Sequence, residues 1–196
     1  MTHATTWMDE VPLHDRDLLL RLRLYFDGLD QRLRSGEGWF IFNAEEARSR
    51  RISGYVRQRL AESTPPRTYS IVSWRDFALS AYVQQLNIGN QEVDHEIASK
   101  LQRQERAVAS HVTKATLDSL TGSDFVVLTG LKPTHMHEAI FLDWMLESRY
   151  QQRLATMLVT PDLPQELEAD LSTLDPSRRF WHRLFQRMYE TSLVAI

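Results

Sequence analysis

The chain has 196 residues, 42% hydrophobic and 25% charged, with a formal net charge of −3. That make-up suits one globular domain with a sizeable core and excludes an overall basic nucleic-acid binder, leaving any DNA contact to a local arginine patch. With no cysteine there are no disulfides and no Cys-ligated zinc, which fits a reducing, cytoplasmic setting. The amino terminus, MTHATTWMDEVPLHDRD, lacks the basic start and apolar run of a signal peptide, and no stretch approaches the roughly 20 apolar residues that span a bilayer.

Residues 1–14 read as an irregular arm. Asp15 is then expected to cap a helix whose Leu18, Leu22, Tyr25, Leu29 and Leu33 mark one apolar face, ended by Gly36 and Gly38. Trp39 to Phe42 form a buried strand by their unbroken apolar run, and the helix that follows carries Ile52, Val56 and Leu60. Pro65 and Pro66 break the chain before a second strand, Tyr69 to Val72. Ser73 and Asp76 make a capping-box-like start for a helix bearing Phe77, Ala81 and Leu86, with a turn expected at Asn87 to Asn90. From Gln91 to Leu120 the pattern is polar and helical, with Val93, Ile97 and Leu101 in register and a break before His111.

Phe125 to Leu128 form a third strand, followed by a helix from about Thr134 to Tyr150 and a fourth strand, Ala155 to Thr160. Helices over Leu163 to Leu171 and Ser177 to Tyr189 lead into a last strand at Leu193 to Ile196. Strands alternating with helices predict a three-layer α/β fold with a mostly parallel five-stranded sheet, right-handed crossovers and helices on both faces. Residues 1–38 form the arm and first helix, and 39–196 the α/β domain.

The junction after the first strand is the informative stretch. In nucleotide-binding α/β proteins a glycine-rich loop here wraps phosphate with backbone N–H groups, and Lys and Ser/Thr complete the site. FNAEEARSRR, Phe42 to Arg51, has no glycine. Asn43 with Glu46 three residues on predicts a capping box, and Glu45 and Glu46 place carboxylates at the helix's positive end, where the chain would supply its own anion.

In the order of its parts the sequence resembles the AAA+ core of the DnaC/IstB family of helicase loaders and transposition helpers, a P-loop NTPase fold, here with no lid domain. FIFNAEEARSRR (Phe40 to Arg51) resembles the strand and Walker A segment, SDFVVLTGL (Ser123 to Leu131) the Walker B strand, and ESRY (Glu147 to Tyr150) the end of the next helix. MLVTPDLPQEL (Met157 to Leu167) resembles the sensor segment and RRFWHRLFQRM (Arg178 to Met188) the arginine-finger helix.

In that match the Walker A glycines fall on Ala44, Ala47 and Ser49, the lysine on Arg50 and the magnesium-binding hydroxyl on Arg51. The Walker B acids fall on Thr129 and Gly130, the sensor Asn on Asp162, and the arginine finger on Arg183. Phosphoryl transfer rests on positioned charges, so the resemblance implies a degenerate nucleotide site without ATP hydrolysis and with no expected cofactor.

The implied role is a non-catalytic, pseudo-ATPase accessory in DNA replication, through helicase loading or its regulation, or in transposition. Its partners would be a replicative helicase, a transposase or a related AAA+ protein, with single-stranded DNA and self-association further candidates and no membrane. A separate amino-terminal helicase-binding domain is not expected before Trp39. The alternative is a divergent but active ATPase using ATP and magnesium around Arg50.

Arg48, Arg50 and Arg51 are candidates for contact with an anion or DNA phosphate, weighed against a solvated face paired with Glu45 and Glu46. His135, His137 and Glu138 do not have metal-ligand spacing and read as a polar helix start. Trp74, Trp144 and Trp181 read as core or interface anchors.

Overall fold

The structure is a computed structural model that describes residues 13–89 and 114–196. Of the irregular arm expected over residues 1–14, residues 13 and 14 are already helical, and the rest of it, with the helix expected from Gln91 carrying Val93, Ile97 and Leu101, lies outside the described residues. The sheet has five strands, β1 (Gly38–Ile41), β2 (Tyr69–Ser73), β3 (Phe125–Thr129), β4 (Ala155–Val159) and β5 (Ser192–Ala195), in the order β2-β3-β4-β1-β5. Every neighbouring pair is parallel, with Trp39 level with Met157 on one side and Leu193 on the other. The expected mostly parallel sheet is thus parallel throughout.

The helices are α1 (Leu13–Asp27), α2 (Leu29–Ser35), α3 (Glu46–Ala61), α4 (Trp74–Gly89), α5 (helical residues 114–122), α6 (Met136–Gln151), α7 (Pro164–Leu174) and α8 (Arg179–Thr191). Side chains alternate across the central strands, so each strand feeds two cores. Phe40, Val126, Leu128 and Leu158 pack beneath α4, α6, α7 and α8. Trp39, Ile41, Val127 and Met157 pack beneath α1 and α3. Strands covered on both faces read as continuous apolar runs, which is why β1, β3 and β4 were legible. Gly38 is required by close approach, because a Cβ there would lie 1.9 Å from the Thr156 carbonyl oxygen.

Three local expectations are corrected. The first helix is two helices, since the chain breaks at Gly28 between α1 and α2. The turn expected at Asn87 to Asn90 is overridden, because α4 runs on through Gly89. Asp15 is not a cap: α1 is already under way at Leu13, and the buried Asp15 carboxylate pairs with Arg48 and Arg51 of α3. The Ser73 start of α4 does form, with Ser73 Oγ accepting from the Asp76 N–H at 3.2 Å and donating to Asp76 Oδ2 at 2.7 Å.

Asp175 organises the start of α8. Its Oδ2 accepts from the backbone N–H groups of Arg179 at 2.8 Å and Phe180 at 3.2 Å, and its Oδ1 from that of Ser177 at 3.1 Å. The Ser177 hydroxyl, followed by these backbone donors, holds the carboxyl below its usual range. A depressed folded-state pKa stabilises above the unfolded value and loses that contribution as pH falls through the folded one. Asp175→Ala is therefore expected to lower Tm by roughly 2–4 °C at neutral pH, with the gap to the parent closing in acid. Thermal melts across pH check this, and a gap that widens in acid would contradict it.

Candidate functional site

Open α/β sheets bind ligands outside the carboxyl ends of their strands, and here β1, β3 and β4 bring the sequence-derived positions to one end. Only Phe42, Asn43, Ala44 and Glu45 separate β1 from α3. This link is tied to the end of β4: the Asn43 N–H donates to the Asp162 carbonyl at 3.1 Å and the Ala44 N–H to the Thr160 carbonyl at 2.9 Å. Thr160 donates its N–H to the Ile41 carbonyl at 2.9 Å and its hydroxyl to the Leu131 carbonyl at 2.8 Å, joining the ends of β1, β3 and β4.

The capping box at Asn43 does not form. Asn43 takes a left-handed backbone, φ 51°, a conformation Asn tolerates better than most residues. The N-cap moves to Glu45, with no side-chain cap bond. Glu46 becomes the first helical residue, too far along to reach back, and pairs at 3.5 Å with Arg50 on an open surface. The amides just before the helix, those of Asn43 and Ala44, are instead bonded by the carbonyl oxygens of Asp162 and Thr160, which follow β4.

The three arginines part ways. Arg48 turns inward, with Nε 2.8 Å from Asp15 Oδ1 and a guanidinium N–H donated to the Asn43 carbonyl at 2.8 Å. It is buried and unavailable to an external phosphate. Arg51 pairs with the other Asp15 oxygen, and Arg50 stays exposed. Ala44 is buried, Ala47 lies on the exposed first turn of α3, and Ser49 is buried with its N–H on the Glu45 carbonyl at 2.8 Å.

At the end of β3 the Thr129 hydroxyl donates to the Val72 carbonyl at 3.4 Å. Gly130 follows with φ 71°, where a side chain would be strained. Asp162 is buried, and its Oδ1 lies 2.9 Å from Lys132 Nζ. The bond to Asp162 raises the Lys132 pKa. Sequence reasoning missed Lys132. Its position just before Pro133, after the Walker B-like strand, is the signal that could have flagged it.

Arg183 lies far from this end in its bonding. It pairs with Asp143 of α6 at 2.8 Å and sits 5.6 Å from the Phe180 ring centroid. Arg187 holds the same Asp143 at 2.8 Å and also pairs with Glu147. Among the tryptophans, Trp74 and Trp181 are buried, whereas Trp144 is 47% exposed. Among the described residues no set of three His, Asp or Glu converges as for a metal ion, and no helix is long and apolar enough to cross a membrane.

Strand order, parallel register and the two helical layers define an AAA+ P-loop-like fold. The chain is similar to the solved DnaC helicase loader, with a TM-score of 0.64 and 14% identity over 95% of this chain and 92% of that one. It is similar to the replication initiator DnaA bound to AMPPCP and single-stranded DNA, with a TM-score of 0.57 and 15% identity, covering 96% of this chain and 49% of that one. A primosome component from Streptococcus pyogenes serotype M3 matches with a TM-score of 0.52 and 10% identity over 89% and 78% of the two chains. The chain thus spans about half the length of the DnaA structure. No family model matches the sequence, and no curated protein matches it. Identities of this size carry the fold, and function has to be argued from the site.

Proposed function

We propose that this protein is a non-catalytic, pseudo-ATPase member of the AAA+-like folds that works through protein contacts in DNA replication, at helicase loading or its regulation, or in transposition. The observation that carries the reading is the bonding of the β1–α3 link. A phosphate-binding loop aims successive backbone N–H groups at its ligand. Here the N–H groups of Asn43 and Ala44 are taken by the carbonyls of Asp162 and Thr160 in the segment after β4, and Arg48 draws the Asn43 carbonyl inward.

The residues present do not fit magnesium and ATP. Helix α3 starts at Glu46, so Arg50, the counterpart of the phosphate lysine, sits beyond the first turn on an open surface. Thr129 and Gly130 offer no carboxylate to a metal, and the buried Asp162 carboxylate opposes a γ-phosphate. An interaction role is supported by aromatic side chains left in the open: Phe185 and Tyr189 stack at 5.8 Å along α8, 44% and 72% exposed, and Trp144 stands out from α6.

A phosphate-release assay with ATP and magnesium is expected to give no rate above buffer, and calorimetry with ATP is expected to give the same heats for Arg50→Ala as for the parent. Magnesium-dependent turnover abolished by Arg50→Ala would overturn this reading in favour of a divergent ATPase. Affinity capture from the native host is expected to recover a replicative helicase, a transposase or a related AAA+ protein.

A further inference from the structure

A second opening lies beyond the carboxyl ends of β2 and β3, away from the β1–α3 junction. It is a cleft of about 770 Å³ between the start of α4 and the start of α6, lined by Arg75, Leu79, Tyr82, His135 and His137 together with Ser73, Asp76 and Glu138. That volume is within the range that accepts a small organic ligand. Its rings form a ladder, with Tyr82 and His137 centroids 5.8 Å apart and His137 and His135 centroids 5.4 Å apart. Tyr82 and His135 are exposed and His137 is half-buried, so each retains ring surface for a ligand.

The charges in the cleft are unevenly spoken for. Asp76 accepts from Ser73 Oγ at 2.7 Å. Glu138 is buried and accepts from the backbone N–H groups of Thr134 at 2.8 Å and His135 at 3.3 Å, and its other oxygen lies 3.4 Å from His135 Nδ1. Both carboxylates are held by the chain's own donors. Arg75 forms no ion pair among the described residues and is exposed. Thr134 Oγ1, 2.9 Å from His135 Nδ1, fixes that ring by one nitrogen, and among the described residues no bond engages its Nε2. Asp76 and Glu138 keep their negative charge but are turned onto Ser73 and the start of α6, so the groups left to a ligand are a guanidinium fork, two imidazoles and a phenol, a set that can seat an anion joined to a flat ring.

We propose that this cleft binds a nucleobase carrying a phosphate, either as a free nucleotide or as one unit of a single strand. The base lies against Tyr82 and His137, and the phosphate is held by Arg75 and His135. The site makes no use of the β1–α3 junction, so it stands whether or not that junction has lost ATP.

The probe is deoxyadenosine monophosphate, followed by calorimetry with EDTA present to remove magnesium. Saturable binding is expected, tighter than that of inorganic phosphate or deoxyadenosine alone. Tyr82→Ala is expected to weaken it roughly tenfold through lost stacking. Arg75→Gln is expected to weaken it by about the same factor and flatten its salt dependence. Arg50→Ala is expected to leave it unchanged, and melting curves confirm that each variant is folded. A short oligodeoxyadenylate distinguishes the sources: binding much tighter than the mononucleotide's and sensitive to the same two substitutions assigns the cleft to a strand, and equal binding assigns it to a free nucleotide.

Absence of binding by both probes at millimolar concentration would overturn the proposal. So would binding that survives Tyr82→Ala and Arg75→Gln but is lost in Arg50→Ala, an outcome that would return the nucleotide to the β1–α3 junction, whereas only magnesium-dependent turnover would overturn the pseudo-ATPase reading. Loss of a captured protein partner in Tyr82→Ala, with neither probe bound, would reassign the cleft to protein contact and reject the nucleotide.

Discussion

Arg149→Met is expected to cost the protein roughly 3–5 kcal/mol of folding stability. The Arg149 side chain is fully buried near the amino-terminal end of the sheet and ties α6 to β4, to the end of α5 and to the turn before β3. Its Nε donates to Thr156 Oγ1 at 2.9 Å, and its two terminal nitrogens donate to the carbonyls of Leu120 at 3.0 Å, Ser123 at 2.9 Å and Ala155 at 2.6 Å. Burial pushes its pKa down to about 10, with the Asp124 charge pulling the other way, so it enters the fold as a cation at neutral pH.

Two effects oppose each other in the Met variant. Removing a buried charge relieves its desolvation, but three carbonyls lose their donor, and each orphaned buried acceptor costs about 1–3 kcal/mol. The second wins because no water can enter a side-chain site that is fully closed. Arg149→Lys is expected to recover little, since an ammonium cannot fork between acceptors on β4 and on the end of α5. Urea titrations decide the matter: a loss under about 1 kcal/mol at unchanged slope would mean these bonds are incidental. Because Arg149 fixes the starts of β3 and β4 relative to each other, its loss is also expected to loosen the far ends of those strands, where Thr129 and Asp162 lie.

The elements that could be read from sequence are those whose environment is uniform. Val126, Val127 and Leu128 lie in a strand covered on both sides, so composition alone marks them, and β1 and β4 follow for the same reason. The alternation of such runs with helical spacing marked a mostly parallel α/β sheet without its strand order, and the resemblance put Thr129, Gly130 and Asp162 at one end of the sheet. What stayed hidden depends on pairs distant in the chain.

Asn43-x-x-Glu46 is a sound capping pattern by local chemistry. It yields because the Asn43 and Ala44 N–H groups find the carbonyls of Asp162 and Thr160, just after β4 and more than a hundred residues away in sequence, which shifts the helix start. Arg48, Arg50 and Arg51 look alike as a cluster. Only the approach of α1 separates the buried Arg48 from the exposed Arg50. The α4–α6 cleft was equally silent, because Arg75 and Tyr82 meet His135 and His137 only through the packing of two crossover helices.

The contact that separates those arginines carries the second large prediction. Asp15→Asn is expected to destabilise the protein by roughly 3–5 kcal/mol, because it keeps the shape of the side chain while leaving Arg48 as a buried charge without its counter-ion. The Asp15 and Arg48 side chains are 4% and 8% exposed, whereas Arg51, on the same carboxylate, is 44% exposed. Water can solvate Arg51 if its partner is lost but cannot reach Arg48, so Arg51→Ala should cost no more than about 1 kcal/mol.

Replacing both partners by apolar side chains, Asp15→Leu with Arg48→Met, removes the uncompensated charge and is expected to restore much of the loss, giving a large coupling in a double-mutant cycle. The pair also matters to the site. Arg48 donates to the Phe42 carbonyl at 3.3 Å and the Asn43 carbonyl at 2.8 Å, so α1, through Asp15, braces the link whose N–H groups are turned toward β4. Hydrogen exchange at the Asn43 and Ala44 amides should therefore quicken in Asp15→Asn. Unchanged protection of those two amides alongside lost stability would show that the ion pair anchors α1 without bracing the junction.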